Sequence, residues 1–222
     1  MLEIIQQAIA SGKKTLSEYE SSLVIKSAGV EVVPSVLAKT KDEAFQMAEK
    51  IGFPVVMKGC SAELTHKTES GMVKLNVGNS EEAARVFDEL IGKMNGLDGV
   101  LIQKMVKGSR EFVIGLSRDP QFGPCVMFGL GGIFTEALQD VTFRVAPLSK
   151  EDALEMIDEI KTKKILGEFT GSPAVDREAL AKALVGVGEL GMSCDSIAEI
   201  DINPLIIFGN KPVAVDALVV LK

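Results

Sequence analysis

The chain has 222 residues, of which 46% are hydrophobic and 25% are charged, and its formal net charge is −7. This composition suits one large globular domain or two small lobes with a real core, and it excludes a disordered chain. The acidic balance, the absence of tryptophan and the single tyrosine argue against a nucleic-acid-binding protein, which needs a basic surface and usually stacking aromatics.

The sequence also argues against a membrane or secreted protein. The longest uncharged run, residues 120–135, contains four glycines and two prolines and falls short of the roughly 20 apolar residues of a membrane helix. The N-terminus lacks the basic start of a signal peptide. The three cysteines form no C-x-x-C pair that would indicate a zinc site. We therefore expect a cytoplasmic protein with reduced thiols and with neither nucleic acid nor membrane as a partner.

Two capping boxes, each a Ser or Thr followed three residues later by Glu, predict helices in the first quarter of the chain. The first helix begins at Ser17 and ends at Gly29, and the second begins at Thr40 and ends near Gly52. An amphipathic helix is expected over residues 80–95. Apolar or alternating segments between these helices predict three strands, at residues 30–38, 53–58 and 72–77.

The rest of the chain mixes strands with two more helices. Ser149 and Asp176 are the predicted N-caps of helices that run to about Lys164 and Gly191. Strands are predicted at residues 100–106, 111–117, 124–129, 197–207 and 212–221. This order predicts an α/β (α+β) fold in two lobes, with much of the second sheet antiparallel. We expect a lead segment at 1–15, an N-terminal lobe at 16–98 and a C-terminal lobe at 99–222.

Lys58 and His66 are the first candidates for chemistry. Lys58 ends an apolar strand, where its ammonium could emerge into a cleft and bind phosphate, or could extend into water from the rim of the sheet. His66 is the only histidine and lies in a polar connection between two predicted strands. Imidazole can act as a nucleophile toward phosphorus or as a proton carrier, although a lone surface histidine is commonly inert.

Two further patterns indicate anion and cation binding. The glycine cluster at 129–132 could bring backbone N–H groups close to a phosphate, or could simply be a bend between strands. In the strand that follows residue 196, Glu199, Asp201 and Asn203 share one face, which suits Mg²⁺ beneath a nucleotide or a plain solvated face. Gly209-Asn210 is a candidate two-residue hairpin loop. If Phe208 pairs with Lys211, counting outward places Asn203 opposite Asp216.

These residues, in this order, lie in segments that resemble a known family. The most specific segments are GFPVVMK at 52–58, SRDPQFGPCVMFGLGGIFTEALQDVTFRVAPL at 117–148 and EIDINPL at 199–205. The chain resembles the β subunits of archaeal-type ADP-forming acetyl-CoA synthetases, which belong to the succinyl-CoA synthetase superfamily and have an ATP-grasp fold with the nucleotide between two lobes. The similarity extends from Leu16 to the end of the chain.

The resemblance implies a set of nucleotide-binding residues. Lys58 is similar to the lysine that reaches the α- and β-phosphates. Glu111 resembles an acidic residue near the ribose and phosphates, and the backbone near Gly131 and Gly132 is expected to donate to the phosphates. The backbone of the hinge strand, which is expected to meet the adenine edge, corresponds to Gln103, Lys104 and Met105.

The resemblance also implies a metal, a relay and a partner. Asn203 and Asp216 are similar to the Mg²⁺ ligands, and ATP or ADP is the bound nucleotide. His66 matches a histidine thought to relay a phosphoryl group between the nucleotide and the phosphohistidine of a partner subunit. The implied partner is a CoA-binding α subunit in an α2β2 assembly, and the implied reaction is acyl-CoA + ADP + phosphate = acid + CoA + ATP.

Three departures from the family pattern concern neighbouring positions. Gly71-Met72 stands where the family usually has Gly-Gly, and Thr170-Gly171 where it has Arg-Gly. Ala217-Leu218 follows Asp216, so the arginine that often follows this aspartate is missing. These departures leave the preferred acid and a partner contact open. The alternative functions are a stand-alone ATP-grasp carboxylate ligase and a non-catalytic nucleotide-sensing subunit.

Overall fold

Helices and strands alternate along the chain in a computed structural model that describes residues 2–63, 71–93, 96–132, 139–168 and 171–222. Within these ranges the helices are α1 Leu2–Ala10, α2 Glu18–Ser27, α3 Lys41–Ile51, α4 Ser80–Lys93, α5 Lys150–Glu159 and α6 Arg177–Ser193. The strands are β1 Ser35–Ala38, β2 Val55–Cys60, β3 Val73–Val77, β4 Gly99–Lys104, β5 Glu111–Asp119, β6 Gly123–Leu130, β7 Val141–Val145, β8 Ile197–Phe208, β9 Lys211–Ala214 and β10 Leu218–Leu221.

The strands form two antiparallel sheets, each with helices on one face. The first sheet has the order β1-β4-β2-β3 and packs against α3 and α4. The second has the order β10-β8-β5-β6-β7, with β9 also paired to β8, and packs against α5 and α6. Each sheet has its own apolar core, so the chain has two lobes as predicted. None of the described helices is long and apolar enough to cross a bilayer.

The predicted helix starts are confirmed where a local capping signal exists. Ser17, Thr40 and Ser149 each accept a hydrogen bond from the N3 amide and complete a capping box. Asp176 caps α6 by accepting from the amide of Ala179. The cap of α4 differs slightly, because Asn79 Oδ1 accepts from the Glu82 amide (2.8 Å) one residue before the predicted Ser80. Local hydrogen bonds thus determine where these helices begin.

Several predicted boundaries are wrong. The strand expected at 30–38 is shorter than predicted, because only Ser35–Ala38 (β1) pairs in the first sheet. The amide of Val33 donates instead to the carbonyl of Ala214 in the second lobe (2.9 Å). The helix after Ser149 ends at Glu159, and a 3₁₀ helix, Lys163–Leu166, follows it. The final predicted strand is split at 215–217 into β9 and β10. Strand β7 is absent from the predicted elements.

The division of the chain between the lobes also differs from the expectation. The expected boundary at 98/99 precedes β4, yet β4 is an inner strand of the first sheet, so the chain changes sheets between Lys104 and Glu111. Helices α1 and α2 precede the first sheet in sequence but bury Ile5, Val24 and Ile25 in the core of the second lobe. The beginning of the chain therefore belongs structurally with its end.

Gly186 allows α2 to lie directly on α6. A Cβ atom added at this position would be 1.8 Å from the carbonyl oxygen of Ala28, a backbone atom just past α2. Any side chain would therefore force the two helices apart, whereas glycine lets their backbones approach closely. This contact fixes α2 against the second lobe.

Candidate nucleotide site

Lys58 and Asp216 come from different lobes and meet at the lobe junction. Lys58 Nζ donates to Glu18 Oε1 (2.7 Å) and to the carbonyl of Val215 (2.9 Å). The same ammonium lies 3.9 Å from Asp216 Oδ2. Only 8% of Lys58 is exposed, so the interpretation of a lysine that extends into water from the sheet rim is wrong. The structure thus brings a predicted phosphate-binding cation next to a predicted metal ligand.

Glu18 is a residue of this site that sequence reasoning missed. Its buried carboxylate accepts from Lys58 and also from the side-chain amide of Gln103 (3.1 Å). Glu18 is the first residue of α2, and the local pattern of this turn, the capping box, involves Glu20 and gives no role to Glu18. The only available signal was a second glutamate next to the capping box.

The end of β4 carries the predicted hinge. The Lys104 amide donates to the carbonyl of Pro34 (2.9 Å), and the Met105 amide donates to that of Pro54 (3.3 Å). The backbone of Gln103 lies inside the sheet, paired with β1 and β2. These N–H groups are therefore used within the protein, and the role of this segment toward adenine stays a prediction.

The glycine cluster lies against the start of β5. The Gly131 amide donates to the carbonyl of Glu111 (2.8 Å), so in this structure it is not directed at a ligand. A Cβ atom at Gly131 would be 2.6 Å from the Phe112 carbonyl oxygen. Gly132 has φ +70°, and a Cβ there would be 2.5 Å from Glu111 Oε2. The backbone of β5 leaves no room for a side chain at Gly131, and the positive φ favours glycine at Gly132, beside Glu111.

The predicted register of the last hairpin is confirmed on the strands that flank the metal candidates. Phe208 pairs with Lys211, and the ladder continues to Leu205 opposite Ala214. Beyond the break, Leu218 pairs with Asp201 in the same register. These pairs leave Asn203 and Asp216 at corresponding positions between the two ladders, where the strand pairing is interrupted. Their joint role toward a metal stays a prediction.

The surroundings of Asn203 and Asp216 are acidic. Burial, together with the charges of Glu199 and Asp216, raises the pKa of Asp201 to about 6. Among the described residues, no three His, Cys, Asp or Glu side chains form a ready metal cluster. An amide oxygen and a carboxylate are nonetheless hard donors that suit Mg²⁺, which commonly binds one or two carboxylates and completes its shell with substrate phosphates and water. The donor set therefore fits a magnesium ion bound together with a nucleotide.

Two predicted positions cannot be placed in this site. His66 lies outside the described residues, as does Thr170 of the Thr170-Gly171 departure. Gly71, which follows the undescribed segment, has φ +65°, and Met72 is buried in the first lobe.

Comparison with known proteins decides the family. A family model described as the ATP-grasp domain matches residues 7–221. The β subunit of ADP-forming acetate–CoA ligase I from Pyrococcus furiosus is 45% identical over 99% of this chain and 97% of its own length. The chain belongs to the family of ATP-grasp β subunits of ADP-forming acetate–CoA ligases. Membership in this family confirms the predicted resemblance and the predicted ATP-grasp fold.

Solved structures of a relative have the same fold as this chain. The dinucleotide-forming acetyl-coenzyme A synthetase 1 of Candidatus Korarchaeum cryptofilum, in complex with coenzyme A, Ca-AMPCP and HgCl⁺, superposes with a TM-score of 0.93 at 42% identity, covering 99% of both chains. The same protein with coenzyme A and Mg-AMPPCP, its phosphohistidine segment pointing towards the nucleotide-binding site, gives a TM-score of 0.88 at 42% identity, again over 99% of both chains. The β-subunit name of the Pyrococcus relative implies a partner α subunit.

Proposed function

We propose that this chain is the nucleotide-binding subunit of an ADP-forming acyl-CoA synthetase and that it transfers a phosphoryl group between a partner phosphohistidine and ADP. The observation that carries the proposal is the approach of Lys58 to Asp216 across the lobe junction, at 3.9 Å. One group can neutralise phosphate, and the other can bind the cation that accompanies it. The family membership supports the same reaction.

In the proposed direction, the phosphoryl group passes from nitrogen to oxygen. The P–N bond of the partner phosphohistidine breaks, its imidazole keeps the electron pair, and a ring nitrogen of His66 forms a new P–N bond. That bond then breaks in turn, the His66 imidazole keeps its electron pair, and the β-phosphate oxygen of ADP forms the P–O bond of ATP. Earlier, phosphate displaces CoA from the acyl-CoA, and the acyl phosphate gives its phosphoryl group to the partner histidine and releases the acid. Such transfers depend on positioning and charge neutralisation more than on covalent chemistry by the protein.

The described residues supply these requirements from both lobes. Lys58 contacts phosphate oxygens from the first lobe, and Glu111 lies at the second lobe's rim near the ribose and phosphates. Asn203 and Asp216 would hold Mg²⁺, which when bound neutralises phosphate charge. The adenine edge meets the end of β4. The amides of Lys104 and Met105 already donate within the protein, so the adenine edge bonds to the carbonyl groups of these two residues and to the amide of Val106.

His66 is proposed as an intermediate carrier. The phosphohistidine segment of the Korarchaeum protein points towards its nucleotide-binding site, which supports a transfer between a phosphohistidine and the nucleotide in this family. A histidine in the connection between β2 and β3 would accept the phosphoryl group and pass it on. We further propose an α2β2 assembly with the CoA-binding subunit, located in the cytoplasm.

The proposal predicts that the isolated chain binds Mg²⁺–ADP but forms no ATP from acyl-CoA, ADP and phosphate until the α subunit is added, because no CoA- or acid-binding module is apparent in the two described lobes. Calorimetry measures the binding, and a coupled assay of ATP formation measures turnover with and without the partner. Substantial CoA-dependent ATP formation by the chain alone would contradict the division of labour.

A further inference from the structure

Glu18 lies where the two lobes meet and is held there by the second lobe. The amide of Leu16 donates to the carbonyl of Val219 (2.9 Å), and the hydroxyl of Ser21 accepts from the Val219 amide (3.1 Å). These bonds tie both sides of the Glu18 position to β10. The carboxylate nevertheless points into the first lobe, towards β2 and β4.

The carboxylate is a buried charge with defined partners. The Glu18 side chain is 0% exposed, and it accepts from Lys58 of β2 and Gln103 of β4. A buried carboxylate is tolerated only when paired and hydrogen-bonded, and the N-terminal end of a helix adds a favourable field. This ion pair is therefore a fixed part of the junction and differs from the exposed pairs elsewhere on the surface.

The hydrogen bonds of Lys58 leave room for a ligand. An ammonium group has three donors, and Glu18 and the Val215 carbonyl take two of them. Asp216 Oδ2, at 3.9 Å, is beyond hydrogen-bond distance. Within the described part of the chain, the third donor of Lys58 is left for a phosphate oxygen.

We propose that Glu18 is a positioning residue that holds the Lys58 ammonium away from Asp216. The lysine then contacts the nucleotide phosphates, and the aspartate binds the cation. Asp216 is the only other described carboxylate within 4.0 Å of the ammonium. Without the charge of Glu18, the ammonium would therefore move from 3.9 Å into direct contact with Asp216 and compete with the cation for this ligand. This inference rests on the proposed nucleotide site.

The first test is Glu18→Gln, with the Mg²⁺ dependence of ADP binding measured by calorimetry on the full chain. The Mg²⁺ concentration for half-maximal binding is expected to rise roughly tenfold, which corresponds to about 1.4 kcal/mol. Glu20→Gln is the matched control, because it makes the same change in the same helical turn. Glu20 serves the capping box, where glutamine is also suitable, so the control should match the parent chain.

Repeating the substitution in a Lys58→Met variant distinguishes a positioning role of Glu18 from a purely structural one. Lys58→Met removes the ammonium on which Glu18 is proposed to act, so adding Glu18→Gln should not change the Mg²⁺ requirement further. In thermal unfolding without metal, Lys58→Met should lower the Tm by removing the cationic partner of the buried Glu18 carboxylate, and the added Glu18→Gln should raise it again.

The outcomes distinguish this inference from the function on which it rests. If the parent chain does not bind Mg²⁺–ADP, the proposed function fails. If the parent binds but Glu18→Gln leaves the Mg²⁺ requirement unchanged, or shifts it equally in both backgrounds, Glu18 is only a structural partner of Lys58 and the inference is overturned.

Discussion

Replacing His66 with alanine is expected to lower acyl-CoA-dependent ATP formation by the reconstituted enzyme by a factor on the order of 10² or more, the scale of losing a positioned catalytic group. The affinity for Mg²⁺–ADP should stay within about twofold, because the imidazole is proposed to carry phosphoryl and not to hold the nucleotide. Turnover in the complex with the α subunit and calorimetry on the variant measure the two effects separately.

The histidine content of the chain lets this experiment assign the phosphorylated residue. His66 is the only histidine, so any phosphohistidine formed on this subunit must be at that position. Acid-labile phosphate on the parent chain and none on the variant would support the relay. Turnover within twofold of the parent in the reconstituted enzyme would show that the phosphoryl group reaches ADP without His66.

Asp216→Asn is expected to weaken Mg²⁺–ADP binding roughly ten- to a hundredfold, equivalent to about 1.4–2.8 kcal/mol. The amide keeps the shape of the side chain but loses the charge that a hard cation prefers. The fold should survive, because the side chain is about one-third exposed (35%) and lies between two ladders that keep their register. Calorimetry in the presence of Mg²⁺ measures the affinity, and thermal unfolding checks the fold.

Asp88→Asn is a suitable control for this change. Asp88 is on α4, its side chain is 56% exposed, and its ion pair within the described ranges is with Lys41 at the surface, so its loss should change stability little. Equal nucleotide affinity of Asp216→Asn and the control would argue against the metal site. So would an experimental structure with Asn203 and Asp216 on opposite faces.

The parts of the fold that the sequence predicts well are those determined by neighbouring residues. The capping boxes at Ser17, Thr40 and Ser149 involve positions three residues apart, and each begins its helix where expected. The turn at Gly209-Asn210 similarly determines the register of β8 and β9. In these cases the hydrogen bonds of a few adjacent residues decide the structure.

The parts that the sequence does not predict depend on distant partners. Val33 does not pair in the first sheet, because its amide donates to the carbonyl of Ala214 in the other lobe. Glu18 enters the site through side chains 40 and 85 residues away, so no local pattern distinguishes it from other helical glutamates. For the same reason the observed change of sheet lies after β4 and not before it, since β4 gains its neighbours only in the folded sheet.

Phosphoryl transfer between the nucleotide and the partner histidine is tested most directly by following a labelled γ-phosphate from ATP. The chain, Mg²⁺ and γ-labelled ATP are mixed with the α subunit, the subunits are separated, and acid-labile label is counted on each. We expect label on a histidine of the α subunit, only when this chain is present and only when position 66 is histidine. Label on the α subunit without this chain, or acid-labile label on neither subunit, would contradict it.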